Sequence, residues 1–499
     1  MTQDFTKARY EVPHPYLTLM GLYMGSFTGM LSETSLNIAL PQLGAVFGID
    51  TAVTQWLVVG YMLAIGLMMP FAGILMKWFS VRKLTFFALT GFFVGSIISA
   101  AAPSFAVVLV GRLIQGIATG LLLPMMFAIS IEVFAPQKLG SAMGLAALII
   151  MFASAIGPTA SGIILGAFSW RAIFIMFAVV LVIGMAFAAK FLANPYELTK
   201  PHIDAASCVL SIIAFGGLVL GVGLASSAGW MSVQVVGPIV CGIIALVLYV
   251  KRQLALETPI IDVRIFKLRG FCVGGALMII NFGITLSAMF LLPQFIQNAI
   301  GIPVAMAGLI MLPGGIVNAF VSFAAGNIYD RVGAKIPARI GFCLSALGAI
   351  LLLFAGTTTS IAYLILAHII LMTGVPLAMS PCQTSALSCL PRKNSGDGST
   401  ALNTMQQVLG AVATAVATCL LGAGQTAFMA AGGTSTAEAF ATGAHWGFAF
   451  TLVLAVLGAA ISFTLLKQEA KHADKLPEAA CDHADDNATC SADTVAAKA

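Results

Sequence analysis

The sequence predicts an all-α integral membrane protein, and three observations lead there. Of its 499 residues 60% are hydrophobic and only 9% are charged, whereas a soluble domain is roughly 45–50% apolar and about 25% charged. The mean hydropathy is +1.01. The apolar residues gather in long runs, each near the ~20 residues a helix needs to cross hydrocarbon. A soluble fold cannot hide that much apolar surface. The composition therefore excludes a disordered chain, a nucleic-acid binder and an ordinary cytosolic enzyme. Gly is abundant at 50 residues, as where helices pack closely in a bilayer.

Fourteen runs qualify as spans: 16–38, 53–76, 84–103, 105–128, 141–165, 171–192, 205–225, 233–250, 270–296, 304–327, 337–356, 360–386, 399–423 and 445–466. They are too long for barrel strands. Residues 1–15 are polar and the first run is long enough to span, so this segment reads as a cytoplasmic N-terminus and not as a cleaved signal. Seven of the nine Cys lie in or beside apolar runs and read as small buried hydrophobes, not as a disulfide framework.

Basic residues fix the topology, because they crowd the cytoplasmic side. Of the 24 Lys and Arg, only Arg112 and Arg171 fall inside or at the edge of spans away from a cytoplasmic helix end. With the N-terminus inside, the others fall on cytoplasmic segments: Lys77, Arg82 and Lys83 after span 2, Lys138 after span 4, Lys251 to Arg269 after span 8, Arg331 to Arg339 after span 10, Arg392 and Lys393 after span 12. A wrong span count would break this alternation, so fourteen helices with both ends inside are expected.

An internal repeat divides the spans. Span 2 ends with Gly73, then Lys77, Ser80, Arg82 and Lys83; span 10 ends with Gly326, then Asp330, Arg331, Gly333 and Lys335. Each has a Gly at a helix end, a charge four residues on, a small residue seven on, and basic residues around or after it. Chance likeness of short basic loops is the competing explanation. The offset of eight spans suits two six-helix bundles, 16–192 and 270–467, around an inserted pair, 205–250. The pair carries no membrane-embedded charge, so a peripheral position is expected. Residues 468–499 read as a disordered cytoplasmic tail. Transporters are often built from repeated bundles with the substrate path between them.

Two charges sit well inside spans, Glu33 in span 1 and Arg112 in span 4. Such a charge costs about 2.5–3.5 kcal/mol on insertion scales and marks function by default. By residue count both lie roughly 10–12 Å below the outer surface, deep enough to pair. Asn37 follows Glu33 by four residues and Gln115 follows Arg112 by three, giving each a polar neighbour on its own face. Two readings stand. Glu33 takes up and releases a proton as its contact with Arg112 changes, since desolvation raises a carboxyl pKa and a nearby Arg lowers it. Or the pair is a fixed structural pin. The driving force suffices for the first: about 2.3 kcal/mol per charge per 100 mV and about 1.4 kcal/mol per pH unit let one proton drive a solute roughly 10²-fold uphill.

These residues resemble the major facilitator superfamily, and within it the fourteen-helix drug:proton antiporters of the lincomycin-exporter and QacA/EmrB-like branch. The likeness covers about residues 16–467. Glu33 with Asn37 and Pro41 is similar to the family's span-1 motif. Gly111-Arg112 with Gln115 and Gly116 resembles the span-4 motif, whose Arg is implied in proton coupling. Gly157, Pro158 and Gly162 resemble the span-5 antiporter motif, where small residues and Pro permit close contact and a bend. Trp170-Arg171 follows, as in the family. Asp330-Arg331 with Gly333 looks like the loop that latches the cytoplasmic gate, and Gly73 holds the equivalent place in the first half. Two departures stand out: Glu33 replaces the usual Asp, and Lys77 stands where the first gating loop carries Asp. The gating expectation therefore rests on Asp330 and Arg331.

The resemblance implies a proton-coupled exporter of amphipathic, cationic or antibiotic-like molecules. Glu33 would serve both proton and drug. Asn37, Gln115, Asn281, Asn318, His368, Asn403 and Gln407 are the polar candidates for substrate contact. His368 can titrate near neutral pH or serve as an interhelical hydrogen bond. The 23 Met and 33 Phe suit an adaptable pocket, though most must face lipid or core. The expected partners are a small-molecule substrate, protons and the lipid bilayer of the cell membrane, with no nucleic acid, cofactor or metal, and with a monomeric chain. Cys481, His483, Asp485, Asp486 and Cys490 match no zinc spacing. No nucleotide-binding Gly-Lys-Ser/Thr loop is present, which argues against direct ATP drive. Residues 424–444 read as a loose external loop. Two alternatives remain: export of a specific metabolite, peptide or siderophore by the same fold, and a membrane-embedded enzyme, which the scattered interfacial charges do not support.

Overall fold

The computed structural model describes residues 12–134, 136–192, 194, 204–256, 259, 262–390 and 395–473. The tail cysteines, His483 and the tail acids lie outside them. Fourteen long helices carry the described chain: α1 Pro15–Phe47, α2 Trp56–Trp78, α3 Val81–Ala100, α4 Phe105–Val133, α5 Pro136–Ala167, α6 Arg171–Phe191, α7 Ala205–Ala228, α8 Val233–Ala255, α9 Arg269–Asn298, α10 Val304–Val332, α11 Lys335–Leu353, α12 Ile361–Ser388, α13 Ser395–Ala430 and α14 Thr436–Ala473. Single helical turns at Thr51–Thr54 and Val263–Lys267 join them.

Among the described residues thirteen candidate spans are long and apolar enough to cross a bilayer. The fourteenth expected span, α1, has the length, 33 residues, but not the apolarity. Ser26, Thr28, Ser32, Glu33, Thr34, Ser35 and Asn37 are all buried. Its polarity is hidden by protein, so α1 needs no lipid-facing apolar coat. Pro41 does not end α1, which continues to Gly48, a left-handed residue at φ 64° whose N–H reaches Gly44. Intramembrane Pro is tolerated where neighbouring groups re-satisfy the freed carbonyl.

The expected loose loop at 424–444 is mostly helix. Its Ala-rich ends extend α13 and α14, and only residues 431–435 turn between them. The expectation of buried thiols also needs correction. None of the seven described Cys is in a disulfide, but Cys241, Cys343 and Cys389 are exposed and only Cys382 is buried.

Helix contacts repeat at the offset of eight. The pairs α1–α6, α2–α4, α3–α4 and α3–α6 recur as α9–α14, α10–α12, α11–α12 and α11–α14. The two six-helix sets meet along two seams related by the same offset, α5–α10 and α2–α13. On the outer side, as the basic residues orient the chain, α5–α10 is very close. A Cβ on Gly162 would lie 3.0 Å from Gly308 Cα, and the Thr159 hydroxyl donates to the Gly308 carbonyl at 2.9 Å. Ser35 of α1 donates to the Gly157 carbonyl at 3.3 Å. Small residues at 157, 162 and 308 allow this approach.

α7 packs on α8, α2 and α13, while α8 touches α7 and the Val263–Lys267 turn. Asp204, the N-cap of α7, accepts from the Ser207 backbone and pairs with Arg252 of α8 through bonds of 2.6 and 2.7 Å. Gln253 donates to Ser207 Oγ at 2.6 Å. The Arg252 guanidinium holds the Asp204 carboxyl well below the usual carboxylate range. A carboxyl with a depressed folded pKa contributes stability that is present above its unfolded pKa and lost as pH falls through the folded one. Asp204→Asn should therefore lower the melting temperature of the detergent-solubilised protein at neutral pH. The gap to the parent should close only in strong acid; a gap unchanged by acid would disprove the role of this pair.

Candidate functional site

Arg112 is the largest fully buried side chain and has 0% exposure. Gly111 and Gly116 let α4 press against α3 and α2: a Cβ at Gly116 would lie 2.6 Å from the Tyr61 carbonyl. Arg112 is thus surrounded. Its Nε donates to the Leu57 carbonyl at 3.0 Å, its Nη1 to Gln115 Oε1 at 2.9 Å and to Ser32 Oγ, and its Nη2 to the Ser32 carbonyl at 3.4 Å. The guanidinium lies 3.8 Å from the centre of the Tyr61 ring. The Tyr61 hydroxyl donates to the Gly29 carbonyl at 2.8 Å and lies 2.8 Å from Thr119 Oγ1. Every direct partner of this cation is neutral. A buried charge costs several kcal/mol, offset here by charge-assisted hydrogen bonds of about 1.5–3 kcal/mol each and a desolvated cation–π contact of about 2 kcal/mol.

Glu33 follows Ser32 directly, yet no ion pair joins it to Arg112 among the described residues. The expected pairing is therefore absent in this conformation. Gln407 of α13, from the opposite half, is placed to donate a hydrogen bond to the carboxyl. Glu33 is 1% exposed and one of its oxygens has no hydrogen-bond partner.

The carboxyl lines a cavity of about 470 Å³ between the halves. Its walls are largely apolar, with Met30, Phe282, Met289, Met372 and Met379 prominent. Among the described residues Glu33 is its only charged lining residue. The cavity reaches Gly326 and Gln383, near the inner ends of α10 and α12, so it faces the cytoplasmic side. A smaller cavity of about 80 Å³ adjoins it, sharing Met30, Ile150 and Gln406.

The remaining sequence candidates divide. Asn318 lines the main cavity, with its Nδ2 3.6 Å from Met372 Sδ. Asn403 and Gln407 line the smaller one. Gln115 lines neither; it bridges Arg112 and the Ser96 hydroxyl. Asn37, Asn281 and His368 are buried, carry side-chain atoms without partners, and line neither cavity. A Cβ at Gly314 would overlap the His368 ring, so this Gly makes room for it. Of the gating candidates, Gly73 is exposed near the end of α2, Arg331 is exposed, and Gly333 ends α10 at φ 71°. Asp330 lies within α10, but its side chain is outside the described set. Pro158 lies inside α5 beside Gly157 and Gly162.

Sequence reasoning missed Tyr61, Ser32 and Gln406. Gln406 sits beside Gln407, and that adjacency was a usable signal. Tyr61 gave none, since its role depends on which helix face meets Arg112.

A sequence model described as Major Facilitator Superfamily matches residues 22–415. The chain is 39% identical over 471 residues to the lincomycin resistance protein LmrB of Listeria monocytogenes, covering 94% of this chain and 100% of that one. It is 38% identical over 463 residues to LmrB of Bacillus subtilis, covering 91% and 96%. It is 26% identical over 412 residues to the multidrug resistance protein Stp of Mycobacterium tuberculosis, covering 82% and 76%. Among solved structures, a peptide transporter POT in complex with sulfate superposes with a TM-score of 0.67 at 16% identity, covering 92% and 95%. That last likeness is one of fold.

The Arg112 setting generates a graded prediction. Tyr61→Leu removes the ring and the hydroxyl and should cost about 2 kcal/mol or more, read as a lower melting temperature. Tyr61→Phe keeps the ring and should cost about 1 kcal/mol. Equal losses in the two variants would remove the cation–ring contact from this account.

Proposed function

The chain belongs to the Major Facilitator Superfamily, a family of membrane transporters, and from that we propose that it is a proton-coupled exporter, an antiporter, of amphipathic cationic or antibiotic-like molecules. One observation carries the reading: among the described residues the only charged group lining the central cavity is Glu33, a carboxyl with no ion pair among them, set among Met and Phe side chains. A cationic drug and a proton compete for the same oxygens. Binding of one excludes the other, which is the requirement for exchange. In this reading residues 16–192 and 270–467 are the two bundles that rock about the cavity. Gln407 bridges them at the carboxyl, and Arg112 biases its charge without pairing. The drug- and lincomycin-resistance names of the relatives support export of antibiotic-like solutes. The described lining does not favour a peptide: among those residues there is no cationic side chain to hold a carboxylate.

The mechanism turns on where the proton sits. In the cytoplasm-facing state the drug's cation displaces the proton from Glu33 inward. After the bundles rock, a proton arriving from outside neutralises the carboxyl and releases the drug. Gln at this position keeps shape and hydrogen bonding but cannot exchange a proton. Glu33→Gln in proteoliposomes with an imposed pH gradient should therefore abolish gradient-driven uphill transport, while the protein still folds and reaches the membrane. Uphill transport at the parent rate would show that Glu33 does not couple protons.

A further inference from the structure

The two halves fill one position of the repeat differently. α4 and α12 both start behind a Ser, Ser104 and Ser360, and Arg112 and His368 each lie seven residues past the first helical residue. Their neighbours correspond as well. Tyr61 lies twelve residues before Gly73 of α2, and Gly314 lies twelve before Gly326 of α10. In the first half the Tyr61 ring covers the guanidinium. In the second the imidazole ring sits where a Cβ on Gly314 would stand. Arg112 and His368 are both fully buried. Arg112 is held by neutral hydrogen-bond partners, whereas both ring nitrogens of His368 lack any. Buried polar side chains normally have a partner, so this ring is left unsatisfied in the present conformation.

Met372, Val375 and Met379 of α12 line the cytoplasm-facing cavity, and His368 comes one turn before Met372, at the next helical spacing outward. On α10, Gly314 stands beside Gly315 and one turn before Asn318, both in the cavity wall. The ring thus lies just beyond the outer end of the cavity. Gly308, whose contact with Gly162 closes the outer seam, is six residues outward from Gly314, about 9 Å along the helix. Among the described residues no charged group acts on the ring. α12 packs on α9, α10 and α11 and meets α13 at few points. The ionisable residues of these helices are Arg269 and Cys272, then Tyr329, Asp330 and Arg331, then Lys335, Arg339 and Cys343, and finally Asp397 and Cys419. The charged ones all lie toward inner helix ends. Leu371 meets Gly348 of α11, nine residues past Arg339, so Arg339 is about 13 Å inward of that contact. On α12 itself Tyr363 donates its hydroxyl to the Leu351 carbonyl at 2.9 Å, and Cys382 and Cys389 lie toward the inner end.

We propose that His368 is a second proton site of this chain, loaded from the outer water when the halves rock and the Gly162–Gly308 contact opens. Imidazole takes up a proton near neutral pH once water reaches it. Enclosed as it is here, the same cation would be a buried charge without a partner, so the protonated ring holds the outer side open. Its charge also stands at the end of the cavity that a cationic solute has just left, and opposes the return of that solute. The proton goes back to the outer water before the seam closes, so the ring adds nothing to the drive supplied at Glu33. The role rests on the exporter reading for its rocking halves, but access to the ring and its titration can be read without transport.

Gly308→Trp wedges the outer seam, and Gly162→Trp does so from the facing helix. Diethyl pyrocarbonate acylates the neutral imidazole, and peptide mass spectrometry reads the product at each His. In lipid nanodiscs at pH 7.5, His368 should react at least tenfold faster in either wedged protein than in the parent, while His14, exposed before α1, reacts alike in all three. In the wedged proteins the rate at His368 should fall at least fivefold between pH 7.5 and pH 5.5, as a proton takes the reacting nitrogen. No gain from either wedge, or a rate that does not fall with pH, overturns the proposal. In a second measurement ethidium enters right-side-out membrane vesicles from outside. The ratio of entry in His368→Gln to entry in the parent should rise at least threefold from pH 7.5 to pH 5.5. An equal ratio at the two pH values marks a merely structural ring and overturns the proposal. If neither protein carries ethidium while the acylation behaves as expected, the exporter reading fails and the proton site stands.

Discussion

One buried cation governs the site. Arg112 is enclosed by a tyrosine ring, two backbone carbonyls, a serine and a glutamine, all neutral, so its charge is never cancelled. Had Glu33 been its partner, the two would form a closed pair with little reason to exchange anything. Because the guanidinium is satisfied elsewhere, the carboxyl beside it lines the cavity with no ion pair among the described residues. The same neutral partners tie α1, α2 and α4 into one body, through Ser32, Leu57 and Tyr61. Rigidity of that body and freedom of the acid have a common cause.

Glycine supplies the geometry for this arrangement. Gly111 and Gly116 bring α4 close enough to α3 and α2 for Arg112 to reach main-chain oxygens. The same device, at Gly162 and Gly308, closes the outer part of one seam between the halves. The cavity lies on the inner side of this contact, with Ser154, Gly315 and Ser322 in its wall. Close packing in a bilayer depends on such contacts, because lipid offers no hydrophobic reason for helices to associate.

Much of this was legible in the residues. Long apolar runs located the helices, and the basic residues oriented them. The likeness of the Gly73 and Gly326 segments anticipated the offset of eight that the helix contacts repeat. Glu33 and Arg112 stood out because charge in an apolar run needs a reason. What could not be read was relative rotation. Asn281 and His368 looked like Asn318 in sequence, yet only Asn318 faces the cavity. Helix ends were also misjudged at 424–444, where Ala-rich segments favour helix as strongly as Gly and Thr suggest a loop.

The polarity of α1 has a consequence for biogenesis. This helix leaves the ribosome before α4, α5, α6 and α9, yet these later helices shelter its serines, threonines, Glu33 and Asn37. On its own it is a poor candidate for partition into lipid. Its stable integration must wait for downstream segments, so the membrane assembly of the first half is a collective step and not a sequence of independent insertions.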